Sequence, residues 1–552
     1  MARAAAIVFE PDGYVLDGPR LMGRQAAGNA FLRAAVSGRH GEPLACVTAS
    51  RASAEAFARL VKSMDARAEA HWIRHGSFHD LAACGAIYLP GPVLDPEAFL
   101  RLRVGPSAYS LVGVTHTTAS KAAMDAIVSL ARAPLMPWDA LICTSDAVVR
   151  TVREVLSAEH DYLAWRFGTP VKPPEPALPV IPLGVHAGDF AYKPADRAEA
   201  RRRLAIRDRE IAVLFVGRLS FHAKAHPHAM YAALEDVARA TARKLVLVQC
   251  GWFANESIEA AFKSGAAAFA PSVRSIFTNG KNAAERGHSW AAADIFMSLS
   301  DNVQETFGLA PLEAMAAGLP VVVSDWDGYR ETVRDGIDGF RVKTAMPAPG
   351  MASALAFAHE AGSLNYDQYC AANCRLVSVD REELVARLTE LVSDEDLRRR
   401  LGAAGRERAK SEFDWSHIYA RYRALYDELA ERRTSPSAAA FSRAPKSSPA
   451  FLDPTITFGH YASAHIAETT EVTAAIPRRE GYAELTRHAL YGYLPEILPR
   501  EDMVAALVAS LVSNPATVAQ LAVRLGIETP AVVSAVAILA KMGLVSVRPE
   551  GS

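Results

Sequence analysis

The sequence predicts an α/β chain: two doubly wound parallel-sheet units facing across a cleft, then a small, mainly α helix-turn-helix domain. Three observations carry this. Short, continuously apolar runs alternate with helix-period segments from the start of the chain. The alternation restarts near residue 211, which implies a second unit rather than a longer first one. A stretch rich in Ser, Pro and Ala, 433–450, then sets off residues 451–552.

In the first unit the apolar runs 4–9, 44–49, 85–89, 111–115, 140–144 and 178–181 read as strands. The segments 24–37, 52–66, 120–131 and 147–158 between them read as helices. In the second unit the strands are 211–216, 244–250, 273–277, 295–298 and 319–324, separated by helices at 227–241, 257–268, 283–293 and 311–317. Continuous apolar strands between helices are those of a parallel sheet covered on both faces, and such sheets bind ligands outside the carboxyl ends of their strands. The resulting domains are 1–190 and 191–410, both Rossmann-like, followed by a closing helix at 411–432, a flexible linker at 433–450 and a winged-helix-like module at 451–552.

Composition excludes several function classes. The net charge of the 552 residues is −1, so no global field attracts nucleic acid or anionic membrane, and any anion site is local. The cysteines, at 46, 84, 143, 250, 370 and 374, fit a reducing compartment. Cys370 and Cys374 are one helical turn apart, but no nearby His or Cys completes a metal-ligand set. Neither a secretory leader nor a continuous apolar span is read from the sequence, so a cytoplasmic location is expected, with peripheral membrane contact left open.

The most informative stretch is 301–342, DNVQETFGLAPLEAMAAGLPVVVSDWDGYRETVRDGIDGFRV. Glu305 and Glu313 stand eight residues apart, around a loop that becomes a helix ended by Gly318 and Pro320. A helix N-terminus offers free N–H groups and partial positive charge to phosphate. Carboxylates suit the hydroxyls of a sugar or ribose. The second stretch is FVGRLSFHAKAHP, 215–227, in which a strand ends at Gly217 and is followed by Arg218 and Lys224. Glycine permits close backbone approach to a ligand, Arg offers a planar fork and Lys a compact charge. Together the two stretches suggest a pocket for a sugar diphosphate.

GRLSFHAK followed by the two glutamates, in that order, resembles the retaining glycosyltransferases of family four, which have the GT-B fold. The resemblance covers residues 1–432 and extends to VGVTHTT around His116, WDALICTSDAVVRTV at 138–152 and VIPLGVHAGDF at 180–190. In the last of these, Leu183 and His186 depart from the Asn and Asp of the family form.

By matching position, the resemblance implies that Arg218 and Lys224, with Gly217, bind the diphosphate of a nucleotide sugar. Glu313 would take the ribose. Glu305, with the backbone of Thr306, Phe307, Gly308 and Leu309, would hold the donor sugar and phosphate. His116 would face the reacting sugar from across the cleft, and Asn279 and Gly280 would contact the base. Gly23 is the candidate for the glycine loop of the first, acceptor-binding domain, Gly28 would serve close packing, and Arg24 would add a cation. The catalytic set is then His116, Arg218, Lys224 and Glu305.

Asp325 and Asp327 resemble the metal-binding D-x-D of the GT-A fold, but they follow a late strand of the second unit and read as turn carboxylates. With Arg and Lys supplying the cations, neither metal nor cofactor is expected, and the nucleotide diphosphate sugar is the donor substrate. In the C-terminal module two helices join around Gly526 and Ile527, Thr529 is the expected cap of the second, Gly543 stops it and 544–547 reads as a strand. Arg524, Lys541 and Arg548 are too sparse for a DNA-reading surface, which favours protein docking or dimerisation. Periodicity also gives this region a likeness to the small winged-helix units that hold peptides in some modification enzymes.

The reading that results is a metal-independent, retaining hexosyltransferase of polysaccharide biosynthesis, acting on a glycan, lipid-linked or protein acceptor. The alternatives are a nucleotide-sugar-sensing regulator or scaffold, and an epimerase or phosphorylase on the same fold.

Overall fold

A computed structural model describes residues 4–15, 23–170, 172–441, 443–475 and 481–548. The chain forms two compact units, 1–448 and 449–552. In the first unit, β1 (Ala6–Val8), β2 (Leu44–Thr48), β3 (Ala70–Arg74), β4 (Ala86–Tyr88), β5 (Ser110–Val114) and β6 (Ala140–Ile142) make a parallel sheet in the order β3-β2-β1-β4-β5-β6. A second parallel sheet holds β7 (Ile211–Leu219), β8 (Leu245–Phe253), β9 (Arg274–Asn279), β10 (Ile295–Ser298), β11 (Val321–Ser324) and β12 (Gly339–Val342), in the order β12-β11-β10-β7-β8-β9. Both sheets follow the same winding. Its direction reverses between β1 and β4 in the first and between β7 and β10 in the second, and those reversals are where such sheets open a crevice.

The helices that position the site are α1 (Gly23–Ser37), α2 (Asp146–Phe167), α3 (His228–Thr241), α4 (Glu256–Phe269), α5 (Leu309–Ala317), α6 (Tyr366–Cys374) and α7 (Trp415–Thr434). Central strands are buried on both faces, as in β11, where Val321, Val322 and Val323 are fully enclosed. Each sheet therefore has two apolar layers, one per face.

The closing helix α7 returns the chain to the first domain. Asp414 caps it by accepting from the Ser416 N–H (3.0 Å). Its Trp415, Tyr419, Tyr422 and Tyr426 join Phe31 and Tyr88 in one aromatic layer, where the Phe31 and Tyr88 rings stack at 4.1 Å. The outgoing and returning crossings run side by side, through the bonds Val185 N–H to Phe413 O (2.9 Å) and Trp415 N–H to Val185 O (3.0 Å). A Cβ on Gly184 would lie 2.6 Å from the Trp415 ring, so this crossing needs glycine. Leu183 is buried, and the His186 ring lies within 3.1 Å of the Ala30 carbonyl, so both departures from the family form serve packing at the crossing.

Several sequence expectations need correction. The strand expected to end at Gly217 continues through Gly217 and Arg218 to Leu219, because β8 is equally long and pairs Gly217 with Gly251 and Arg218 with Trp252. The run 178–181 forms only isolated bridges, at Ala177 and Val180. Pro173, Pro174, Pro176, Pro179 and Pro182 around it cannot donate to a ladder. The helix expected at 147–158 is α2, which runs on to Phe167. The linker read at 433–450 begins inside α7 and continues as a 3-10 turn, Pro436–Phe441, with Ala438 and Phe441 packed on Trp138. The edge strand β3, whose pattern is half polar, went unread, as did β12.

In the second unit helices predominate, packed on a small antiparallel sheet. β13 (Glu471–Ala474) pairs antiparallel with β14 (Ala516–Thr517) on one side and β15 (Val545–Arg548) on the other. Against this sheet pack α8 (Glu501–Leu511), α9 (Val518–Leu525) and α10 (Thr529–Met542), through Leu507, Leu521, Val532, Val536 and Leu539. Thr529 is the first residue of α10 rather than its cap, whereas Thr517 and Gln520 form a capping box on α9. Gly526 and Gly543 end their helices in the left-handed conformation, with φ +65° at each. Among the described residues no single helix is long and apolar enough to cross a membrane.

One buried ion pair anchors the first domain. Arg101 and Asp139 are both fully enclosed and meet through two 2.6 Å hydrogen bonds. Arg101 also donates to the Tyr109 carbonyl (2.6 Å), and Asp139 accepts from the N–H groups of Leu111 and Met136 (2.8 Å each). Removing one partner strands a charge in the core. Arg101→Ala should cost about 3–5 kcal/mol in denaturant unfolding, and a loss below about 1 kcal/mol would refute this anchoring role.

Candidate active site

The site sits at the switch point of the second sheet, where the segments leaving β7 and β10 are neighbours. β7 delivers Gly217 and Arg218 within the strand and Lys224 in the loop to α3. β10 delivers Gln304, Glu305 and Thr306 in the loop to α5. Lys224 Nζ donates to Glu305 Oε2 at 2.7 Å, tying the two segments together. Burial pushes the Glu305 carboxyl up, but Lys224 and the N–H groups of Thr306 and Phe307 outweigh it, and the group lies below the ordinary glutamate value.

Arg218 donates to the Gln304 side-chain oxygen (3.0 Å), and Gln304 passes the chain on by donating to the Tyr366 hydroxyl of α6 (2.7 Å). Asn302 pins the same two segments from below, donating to the His222 carbonyl (2.8 Å) and accepting from the Gln304 N–H (2.9 Å). Asp301 accepts from the His226 N–H (3.2 Å). Its burial raises it to about 7, against the opposing hydrogen bonds. Sequence reasoning missed Gln304, Asn302 and Asp301 although they lie inside or beside the quoted motif. Their role is to aim Arg218 and Lys224, and polar residues in a loop carry no spacing signal for that.

Gly308 opens α5 with φ +84°, and a Cβ there would collide with the Tyr329 ring. The glycine thus lets the loop turn into the helix so that the amides of Gly308 and Leu309 begin its N-terminus. Phe307 is buried beneath. Glu313, one turn into α5, is half-buried and raised to about 7 by burial, with Arg286 opposing. Arg286 also donates to the Gly280 carbonyl (2.6 Å). It thereby links the Asn279–Gly280 turn to the surroundings of Glu313, and it is a further residue the sequence reading did not single out. Asn279 itself shapes that turn, accepting from the Lys281 N–H (3.0 Å).

The first domain reaches the site along a seam. The Thr306 hydroxyl donates to the His116 carbonyl (3.1 Å), so the backbone of His116 lies against the loop of Glu305. The Ser145 hydroxyl donates to the Thr306 carbonyl (2.9 Å) and approaches Asp327 Oδ1 (3.4 Å). The N–H of Asp146, at the start of α2, donates to Glu331 (2.7 Å). Asp327 occupies a left-handed turn position, φ +45°, which agrees with its reading as a turn carboxylate. Burial, and then the charge of Glu305, raise it to about 8. Asp325 instead faces Arg341 (3.5 Å) and Arg330 (3.6 Å).

Gly23 is the remaining candidate. It is exposed at the start of α1, with open space where a Cβ would sit. Ala27, one turn later, packs into the second-domain core, which brings this end of α1 to the interdomain side. Gly28 abuts the Gly13 carbonyl so closely that a Cβ would collide, in line with its reading as a packing glycine. The side chain of Arg24 lies outside the described residues.

The raised carboxyls set a pH dependence. Asp327, with a folded value of about 8, binds its proton more tightly folded than unfolded. Its contribution to stability is fully present below about pH 4 and is lost as pH rises towards 8; Glu313 acts with the same sign up to about 7. Asp327→Asn should therefore flatten the fall in melting temperature between about pH 6 and 8. An unchanged slope would show that Asp327 is already ionised in the folded protein.

Residues 196–356 match the family model for glycosyl transferases group 1. The D-inositol 3-phosphate glycosyltransferase of Geodermatophilus obscurus is 33% identical over 173 residues, 31% of this chain and 37% of the relative. That of Thermobispora bispora is 30% identical over 273 residues, 48% of this chain and 54% of the relative. The chain thus spans between about a third and about half of the length of these curated relatives. Anabaena HepE, solved in complex with UDP, aligns with a TM-score of 0.50 at 16% identity, over 74% of this chain and 98% of that one, a likeness of fold. The α/β chain therefore carries the GT-B fold in its first unit, and the second domain of that unit contains the glycosyl transferases group 1 segment.

Proposed function

We propose that the protein is a retaining glycosyltransferase that moves a hexose-type sugar from a nucleotide diphosphate sugar to an acceptor, without a metal. One observation carries this reading: Arg218 and Lys224 from β7 and its loop converge with Glu305 and the N-terminus of α5 at one switch point. Two cations and a helix N-terminus suit a diphosphate, and carboxylates beside them suit sugar and ribose hydroxyls. The family segment found at 196–356 contains all of these residues.

In the proposed reaction the bond between the sugar's anomeric carbon and the diphosphate oxygen breaks as the acceptor oxygen bonds to that carbon from the same face. The acceptor's proton passes to a phosphate oxygen of the leaving group. Arg218, Lys224 and the amides of Gly308 and Leu309 stabilise the charge growing on the diphosphate. Lys224 then divides its donors between phosphate and Glu305, while the other Glu305 oxygen accepts from a sugar hydroxyl. Glu313 holds the ribose, and Asn279 and Gly280 border the base. His116, on the seam, borders the sugar, and Gly23 borders the diphosphate from the first domain. The acceptor, a glycan, lipid-linked glycan or protein, enters from the first domain in the cytoplasm, with or without peripheral membrane contact.

For residues 449–552 we propose a winged-helix-like module for protein docking or dimerisation. The support is three helices on a three-stranded sheet and a second helix, α10, whose only cation is Lys541. Val523 on α9 is 84% exposed and Val512 75%, apolar surface that suits a protein partner better than phosphate.

A panel of nucleotide sugars tested for protection against thermal unfolding should yield one that raises the melting temperature, followed by transfer assays with product stereochemistry. Arg218→Ala should lower kcat/KM by about 10²–10³-fold with the melting temperature of the free protein nearly unchanged. Near wild-type turnover in that variant would sink the assignment. Sequence-specific, salt-sensitive DNA binding without turnover would favour a regulator instead.

A further inference from the structure

Behind the loop that carries Lys224 lies a cavity of about 250 Å³ that the donor site does not use. Its floor is apolar and aromatic, made by Phe221, Tyr231, Phe262 and Gly265 between α3 and α4, with the Phe221 and Phe262 rings stacked at 6.4 Å. Its mouth is basic: His226, His228 and Arg375 stand there, the last just beyond α6. Burial first, and then the charges of His228 and Arg375, lower the His226 imidazole.

Gly265 gives a second, independent sign. It sits inside α4, where glycine is the least favourable residue after proline. Its backbone is helical, and a Cβ there would meet the Tyr231 ring at 3.5 Å, an ordinary contact. Neither φ nor crowding therefore requires glycine. What its missing side chain does is leave the cavity open.

We propose that this cavity binds a small aromatic anion, a ring seated on Phe221 and Phe262 with its carboxylate or phosphate at Arg375 and the two histidines, and that its occupancy sets the loop bearing Lys224. The volume suits this class: a void of roughly 150 Å³ already accepts a benzene ring. The coupling follows from shared backbone. Phe221, His222 and His226 line the cavity, while the His222 carbonyl and the His226 N–H are bonded to Asn302 and Asp301 of the segment that leads to Glu305. The coupling half rests on the donor-site reading given above; the binding half does not.

The test uses the full chain and 4-fluorobenzoate, with 4-fluorobenzyl alcohol as the neutral control, followed by fluorine NMR. Wild type should bind the benzoate with a Kd of roughly 0.1–5 mM, a weak small-ligand range. Gly265→Leu, which fills the cavity, should weaken it at least about tenfold with an equal or higher melting temperature. Arg375→Ala should weaken the benzoate severalfold and leave the alcohol unchanged. No saturable binding, or binding indifferent to Gly265→Leu, would overturn the site. Titration of UDP with the cavity empty and filled should give affinities differing about fivefold or more, in either direction. Equal affinities would overturn the coupling alone, and absence of UDP binding in both states would count against the donor site and not against the cavity.

Discussion

The site is built around the Lys224–Glu305 ion pair across the β7/β10 switch point. The winding of the second sheet places two segments side by side that are 81 positions apart in the chain. Without a bond between them each would be an ordinary surface loop. The pair gives Glu305 a buried yet ionised carboxylate, because the ammonium and two backbone N–H groups replace the water it has lost. It also holds a cation beside the N-terminus of α5. Gln304 and Asn302 repeat the tie on either side, so Arg218 and Lys224 are aimed by a small network and not by one bond.

A second constraint acts between the domains. Ser145, Asp146 and the His116 carbonyl bond to the second domain, through Thr306 of the loop that bears Glu305 and through Asp327 and Glu331 after β11. The seam and the anchor helix α7 act on different scales. The aromatic layer around Trp415 and Tyr422 fixes the return of the chain by burying large area, a term of several kcal/mol that changes little with conditions. The seam consists of a few hydrogen bonds, each contributing on the order of 1 kcal/mol, and two carboxyls pushed up by burial. A rearrangement of the cleft would break the seam and leave the anchor intact, and domain closure around substrate is the motion such an arrangement permits.

Much of this was legible in the sequence because parallel strands buried on both faces read as apolar runs. Most of the core strands, among them β2, β10 and β11, fall within a residue or two of their expected places. The edge strand β3 was hidden by its alternation, Ala70-His71-Trp72-Ile73-Arg74, in which only Ile73 is buried. The true length of β7 was hidden because Gly217 looks like a strand end; only the ladder to Gly251 and Trp252 keeps it extended. The motif residues with charge were recognisable by type and order. Asn302 and Ser145 were not, since each acts through a partner far away in sequence. Of the three-stranded sheet of residues 449–552 only β15 was legible, as the strand at 544–547; β14 is two residues long and exists only through β13.

The two glutamates of the 301–342 stretch stand in opposite electrostatic states. Glu305 is held below the usual carboxylate range and Glu313 is lifted to about 7, although they share one motif and comparable burial. The difference lies in their partners: Lys224 at 2.7 Å for the first, the more distant field of Arg286 for the second. Environments that separate paired acids in this way assign them different work. An arriving diphosphate brings negative charge, which raises both carboxyls further. Glu305 can resist because Lys224 stays within reach of it. In the proposed donor site Glu313 need not resist, since a protonated carboxyl would still accept from one ribose hydroxyl and donate to the other. Under the proposed function, one ionised and one near-neutral glutamate would let a doubly charged donor enter a site lined with acids, where two full charges would repel it.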